Sequence, residues 1–284
     1  EGRPKAAQVI ENIQSNQPQD ALVPAEALAF EPVNGMPGVA ISFGNRRQRL
    51  HDNALRQSAG KAGLPWTYAK RLLDPELDSW GPELLARNLG ELYRRQFSGE
   101  GTRFLLRSTD GEVRGFLSDR FRRLDSRPLV DSFARACSNA GALPVDGFTT
   151  ATKIGIRALL PRLYEPVPNE VMAFGVSLEN SDYGNGALSL RIFTLRLWCS
   201  NCAIADEGIR AVHLGARLAD DISWSDETHR LDTRRMCSAV RDVVTGQLAP
   251  ARIDAFQDAI RQADAERVSP AQVGAFLKKR LAKA

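Results

Sequence analysis

The chain has little of what most catalytic and metal-binding sites are made from. Its 284 residues include three histidines, His51, His213 and His229, too few and too scattered for a histidine-rich metal site. The four cysteines are Cys137, Cys199, Cys202 and Cys237. With no export signal in view, disulfides are not expected among them. Cys199-Ser-Asn-Cys202 has the spacing of half a zinc site, but such a site needs two more ligands and no second pair occurs. A thioredoxin-type redox pair would need a strand-to-helix context with a nearby proline, which is missing. No run approaches the roughly 20 apolar residues that cross a bilayer. The opening EGRPKAAQVIENIQ is polar, without a signal-peptide core. The expectation is a soluble, cytoplasmic protein without a membrane partner.

Nucleotide motifs are absent as well. There is no G-x-x-x-x-G-K-[ST], and Gly184-Asn-Gly186 is a two-glycine fragment outside any dinucleotide fingerprint. H-E-x-x-H, G-x-S-x-G and the deaminase pairing of H-x-E with P-C-x-x-C do not occur. No cofactor, no metal and no enzymatic activity are expected.

What is present is ordinary globular material with an unusual choice of cation. Hydrophobic residues make up 43% and charged residues 25%, which excludes a wholly disordered chain. Seven of the 38 basic residues are lysines, so 31 are arginines. Arginine suits bidentate phosphate contacts and stacking on bases; a GC-rich genome produces the same bias. The net charge of +4 is unevenly spread. Residues 46–73 carry seven cations against Asp52 alone, for +6, and residues 87–127 hold ten arginines against six acids, for +4. Beyond residue 127 the charges nearly balance.

Residues 1–35, rich in Pro, Gln, Asn and Ala, read as a flexible arm. GVAISF (38–43) alternates as a strand. Asp52 caps a helix carrying Leu55, Ala59 and Ala62 and closed by Gly63. LPWTYAKRLLD is a second helix, stopped by Asp74-Pro75. Ser79 and Pro82 open a third, with Leu85, Leu89, Leu92 and Tyr93 on its apolar stripe. TRFLLRS (102–108) and EVRGFLSD (112–119), joined through Asp110-Gly111, predict a hairpin with a tight turn. A helix follows near 128–140, and strands are expected over 149–160, 171–181 and 187–192. FTLRLWCSN fits either period and is read as a short helix. From 203 the pattern is helical, over 203–246 with a break near 222, then 250–267, then a last helix opened by Ser269-Pro270. The expected fold class is α+β: a mostly antiparallel sheet built from hairpins and packed by helices. The expected division is an arm (1–35), a core domain (36–205) and a helical C-terminal region (206–284).

Two groups of residues carry chemistry. Asp220, Asp221, Asp226, Glu227 and His229 fall within ten residues, and clustered carboxylates hold the divalent ions of two-metal nucleases. They sit at a predicted surface break, where solvated acids are the commoner explanation. The hairpin and its sequel hold Arg103, Arg107, Arg114, Arg120, Arg122, Arg123 and Arg127, interleaved with Phe104, Phe116 and Phe121. Cations beside an aromatic on a sheet face follow a phosphate chain while a base stacks. Alternatively, the phenylalanines are core and the arginines pair with Asp110, Glu112, Asp119 and Asp125. Lys153 and Arg157 alternate on the next strand, and Arg191 and Arg196 follow the 181–186 turn. Tyr183 either stacks at that loop tip or shapes the turn.

In order, LPWTYAKRLLD, FLLRSTDGEVRGFLSDRFRRLD and GVSLENSDYGNGALSLRIFTLRLWCSN resemble the phage- and plasmid-borne "domain of unknown function 932" proteins. The matching positions are Ser118-Asp119-Arg120-Phe121-Arg122, Ser181 and Gly184, Arg196, and Cys199-Ser200-Asn201. Cys202 stands where that family usually has glycine, which makes it a local variant rather than a metal ligand. The resemblance spans roughly 36–205. The order of elements is in turn similar to single-strand annealing proteins of the RecT/Erf type and their eukaryotic counterparts, an analogy at the level of fold. It implies an oligomeric ring or filament that lays single-stranded DNA in a basic groove without hydrolysing nucleotide. The residues expected to bind are Arg114, Arg120, Phe121, Arg122, Arg123, Lys153, Arg157, Tyr183, Arg191 and Arg196. A metal-dependent nuclease using the acids near 220–229, or an interaction module that binds no nucleic acid, are the alternatives.

Overall fold

A computed structural model describes residues 5–77, 80–97, 99, 101–196, 202–211, 213, 224–266 and 274, with only the backbone course for 202–209. Along the chain run α1 (Ala6–Ser15), β1 (Gln19–Pro24), β2 (Ala29–Pro32), β3 (Val39–Phe43), β4 (Arg46–Leu50), α2 (Asp52–Lys61), α3 (Trp66–Leu72) and α4 (Trp80–Gln96). The hairpin β5 (Arg103–Thr109) and β6 (Glu112–Ser118) follows, then α5 (Ser126–Asn139). Next come β7 (Leu143–Thr149), β8 (Ile154–Tyr164), β9 (Met172–Asn180), β10 (Leu188–Arg196) and β11 (Cys202–Ala211). The helices α6 (Asp226–Gln247) and α7 (Pro250–Ala265) follow. The fold is α+β, with two mostly antiparallel sheets.

The first sheet has the order β1-β5-β6-β4-β3-β2. Its centre is the predicted hairpin. Asp110 (φ 54°) and Gly111 (φ 75°) both adopt left-handed backbone, the geometry that lets a two-residue turn follow the twist of its strands. β4 joins β6 in parallel through Arg49↔Glu112 and Leu50↔Val113, so the 46–50 segment arrives from outside the hairpin. His51 caps α2, its Nδ1 accepting from Asn53 N at 3.1 Å. Asp52, expected as the cap, is instead the first helical residue, where its carboxylate faces the positive end of the helix. One face of this sheet is covered by a core in which Phe30, Tyr93, Phe104 and Phe116 meet; Tyr93 stands edge-on to Phe116 at 5.5 Å. Each such side chain contributes roughly 2–3 kcal/mol through burial.

The second sheet is a meander, β11-β10-β9-β8-β7. α5 and α6 cover it with Leu129, Phe133, Val240 and Val244 against Ile156, Leu178 and Leu190. Among the described residues no helix is long and apolar enough to cross a membrane.

Three further expectations are corrected. Residues 6–32 are not a flexible arm. Ala6, Val9 and Ile13, spaced for one helical face, are buried in the second core, and β1 pairs along its length with β5, from Gln19↔Ser108 to Pro24↔Arg103. The boundary drawn at residue 36 therefore cuts through the first sheet. FTLRLWCSN does not turn into a helix at its start: β10 continues to Arg196, opposite Met172, because β9 offers a full antiparallel partner. Its last residues, 197–201, lie outside the described residues. The stretch 203–211, expected as helix and placed partly in a helical C-terminal region, is edge strand, paired to β10 from Leu188↔Ala211 to Leu195↔Cys202. The breaks in register between Leu190 and Arg191 and between Ile192 and Phe193 blur the period-two signal there. The proposed break near 222, the opening of the third helix at Ser79 and the helix at Ser269-Pro270 lie outside the described residues.

Candidate nucleic-acid interface

The two sheets meet where the hairpin, the segment after it and the 181–186 turn converge. Arg107, on β5, is only 1% exposed. Its Nε donates to Asp20 Oδ1 (2.7 Å), its Nη2 to Asp125 Oδ1 (2.6 Å) and its Nη1 to the Asp182 carbonyl (2.8 Å). A guanidinium out of water persists only when its donors are met in this way. The Asp182 carboxylate accepts from the Ser126 amide and hydroxyl, both at 2.8 Å. Burial nevertheless pushes its pKa up to about 6, against the pull of Arg107. Asn180 Nδ2 donates to the Leu124 carbonyl at 2.8 Å, and the His213 ring bridges Asn180 Oδ1 and the Arg122 carbonyl at 3.0 Å each. The segment 121–126 is thereby fastened to both sheets.

On the outer side of that segment lies a cleft of about 350 Å³ lined by Arg120, Phe121, Arg122, Trp224, His229 and Asp232, among others. Its far wall is the first half of α6. That helix starts where it does because the Ser225 hydroxyl accepts from Thr228 N (3.2 Å) and Asp226 and Glu227 occupy the first turn. Trp224 immediately precedes this cap and is 43% exposed. Arg122 forks onto Asp232 at 2.9 and 2.8 Å, and those bonds hold the Asp232 carboxyl below its ordinary range. Past His229 a second cleft, of about 360 Å³, is lined by Arg123, Arg230 and Arg234 together with Asp20 and Asp226. Burial and then neighbouring Arg123 push the His229 pKa down, against the pull of Asp226, Asp20 and Asp232.

The residues singled out in the sequence take different places. Arg120, Arg122 and Arg123 are brought together on this surface. Arg120 is exposed and makes no ion pair with a described residue, whereas Arg123 pairs with Asp20 at 3.3 Å and reaches Asp226 at 3.6 Å. Arg114 stands on β6 between Asp110 (3.3 Å) and Glu112 (3.7 Å), as the ion-pair alternative required. Phe121 is not a base-stacking platform: it is buried with Leu105 and Leu117, and one face is covered by the His213 ring, parallel to within 5° at 5.0 Å. Tyr183 is no loop-tip stacker either. It is buried, its hydroxyl pairs with Thr109 Oγ1, and its carbonyl accepts from Asn53 Nδ2 (3.0 Å) and Gln57 Nε2 (2.9 Å), so it shapes the turn and joins the sheets. Arg157 is half-buried, paired with Asp146 and set 5.6 Å over the Phe193 ring. Arg191 is half-buried in β10 opposite Ser177 and Glu207, and Arg196 pairs with Glu170 at 3.4 Å at the far end of that strand. Lys153 is exposed beside Gly186.

Sequence reasoning missed Trp224, Arg230, Arg234 and Arg235. The available signal was an aromatic directly before an N-cap serine, followed by three arginines within the next three helical turns. Of the acidic group, Asp220 and Asp221 lie outside the described residues. Asp226 and Glu227 face Arg123 and Arg230, at 3.6 and 2.6 Å. Among the described residues no three His, Cys, Asp or Glu side chains are placed to hold a metal ion. Cys199 also lies outside the described residues, and of Cys202 only the backbone course in β11 is described. Compared with protein-family models, with curated proteins and with solved structures, the chain matches none.

Proposed function

We propose that this protein binds single-stranded DNA in the cleft between residues 120–123 and α6, and anneals complementary strands without nucleotide hydrolysis, as a homo-oligomer. The observation that carries the reading is the exposed Trp224 indole set in one cleft with Arg120, a cation without an acidic partner among the described residues. An indole open to solvent offers a stacking face worth about 1–3 kcal/mol per base, whatever the base. Guanidinium groups beside it neutralise phosphates and release counterions. Annealing itself needs no fuel, because each stacked base-pair step formed releases on the order of 1.4 kcal/mol. What a protein supplies is relief of the repulsion between two phosphate chains. The oligomeric state and the choice of DNA follow from the family resemblance, through the analogy with annealing proteins.

The test is fluorescence anisotropy of a labelled oligothymidylate at two salt concentrations, without metal or ATP, followed by the annealing rate of complementary strands. The expected result is binding that weakens steeply with salt and faster annealing in the presence of protein. No binding at low salt discards the reading and leaves a protein-interaction module. Binding without faster annealing retains the interface and removes the annealing activity.

A further inference from the structure

The most basic stretch of the chain, 46–73, has no part in the cleft just described. Two of its cations, Arg56 and Lys61, stand on α2 beside the 181–186 turn. Lys61 lines a further open cleft of about 470 Å³ together with Leu117, Phe121, Gly184, Gly186 and His213; Arg56 and Lys153 flank its turn, and Arg120 stands in the wall of the adjoining Trp224 cleft. Arg56 Nη2 reaches only the neutral Asn185 Oδ1, at 3.4 Å. Lys153 lies along Gly186, its Nζ 3.9 Å from the place where a Cβ would stand. Lys61 is half-buried; desolvation and then the charge of Arg120 push its pKa down, while Asp119 pulls it back up. Among the described residues none of these cations has an ion-pair partner within 4.0 Å. The arginines of the neighbouring α6 clefts, by contrast, are mostly matched to Asp20, Asp226, Glu227 or Asp232.

The turn itself is built to stay low. Gly184 has φ +71°, and a Cβ there would meet Leu117 Cδ2 at 2.4 Å. A Cβ at Gly186 would stand between the turn and the lysine stem. The glycines thus let the turn pack closely on Leu117 and on the Lys153 stem. Like charges gathered round one cleft repel one another unless an anion joins them, and the geometry fits a group with several charged oxygens.

We propose that this cleft is a phosphate-binding site adjoining the Trp224 cleft, with Lys61 on its lining and Arg56 and Lys153 flanking the Gly184–Gly186 turn, and that its ligand is the phosphodiester backbone of a nucleic-acid strand. That the ligand is a strand rests on the reading above; that the cleft takes phosphate does not. Phe121 lines both clefts and the charge of Arg120 acts on Lys61, so the two clefts adjoin.

The test compares wild type, K61Q with K153Q, and R56Q with K153Q. Each is titrated with labelled oligothymidylate across a salt series and, separately, with inorganic tripolyphosphate by calorimetry, after melting curves establish that the variants are folded. Loss of two contacts is expected to lower the slope of log affinity against log salt by about 1.4, at about 0.7 per phosphate on a single strand. If wild type binds the oligonucleotide and both double variants keep its slope, the phosphate site is overturned while the strand-binding reading stands. If wild type ignores the oligonucleotide but takes up tripolyphosphate, and either pair of substitutions abolishes that uptake, the cleft holds a free phosphate compound and the strand is discarded as its ligand. If wild type binds neither, both readings fall.

Discussion

Arg107 and Arg120 belong to the same hairpin and its immediate sequel, yet they have opposite fates. Arg107 is enclosed by Asp20, Asp125 and the Asp182 carbonyl and joins the sheets; Arg120 stands in solvent without an acidic neighbour in pairing distance among the described residues. Nothing in composition separates them. What separates them is the arrival of acids from far along the chain, Asp20 from β1 and Asp182 from the turn after β9. An arginine-rich stretch is therefore two populations, one that closes the fold and one left in solvent.

Removing the buried member should have the largest effect. Arg107→Met leaves Asp20, Asp125 and Asp182 without their shared cation and is expected to cost about 3–5 kcal/mol in urea unfolding. Arg107→Lys retains the charge but loses the fork that serves three acceptors, and should fall between wild type and Met. Equal stability of all three proteins would break the distinction between the two regions.

Trp224→Ala belongs to the exposed side of the comparison. It should leave the melting temperature nearly unchanged and weaken oligonucleotide binding by about 1–3 kcal/mol, read by anisotropy. A large fall in stability instead would make Trp224 a structural residue.

The buried region also carries a pH signature. The Asp182 pKa is raised in the folded state to about 6, above its unfolded value, so the folded protein holds that proton more tightly. Its contribution to stability is full below the unfolded pKa and is lost as pH rises from about 4 through about 6. Subtracting an Asp182→Asn melting series from wild type over that window should give a difference that declines with pH; a flat difference removes this assignment. The smallest effect is expected from Arg120→Gln: unchanged stability, and a salt slope lower by about 0.7.

The parts that could be read from sequence were those written in local chemistry. Asp110-Gly111 announced its hairpin, Gly63 closed α2, and Leu85, Leu89 and Tyr93 marked the buried stripe of α4. What escaped depends on distant partners. Ala6, Val9 and Ile13 are few and small, and they signal a packed helix only once β7 and β8 are there to receive them. Cys202–Ala211 carries alanine and acids at spacings compatible with a helix, and becomes a strand because β10 has an open edge. Phe121 and Tyr183 look alike whether they face solvent or the interior; their burial is decided by His213 and Thr109, each more than 70 positions away. The candidate interface was half visible, since Arg120, Arg122 and Arg123 were identified while the α6 wall that completes it was not.

The placement of α1 has a consequence for how the chain is made. β1, a few residues after α1, closes the edge of the first sheet on β5, whereas α1 itself is buried against the second. On a ribosome, β1 acquires its partner once the hairpin emerges, but α1 must wait until β7 and β8 have been synthesised. Throughout that interval Val9 and Ile13 remain uncovered on a nascent chain whose first half already has its sheet. Contacts so distant in sequence slow folding and lengthen the exposure of apolar surface. A tag or deletion at this end of the described chain would thus disturb the half of the molecule that is synthesised last.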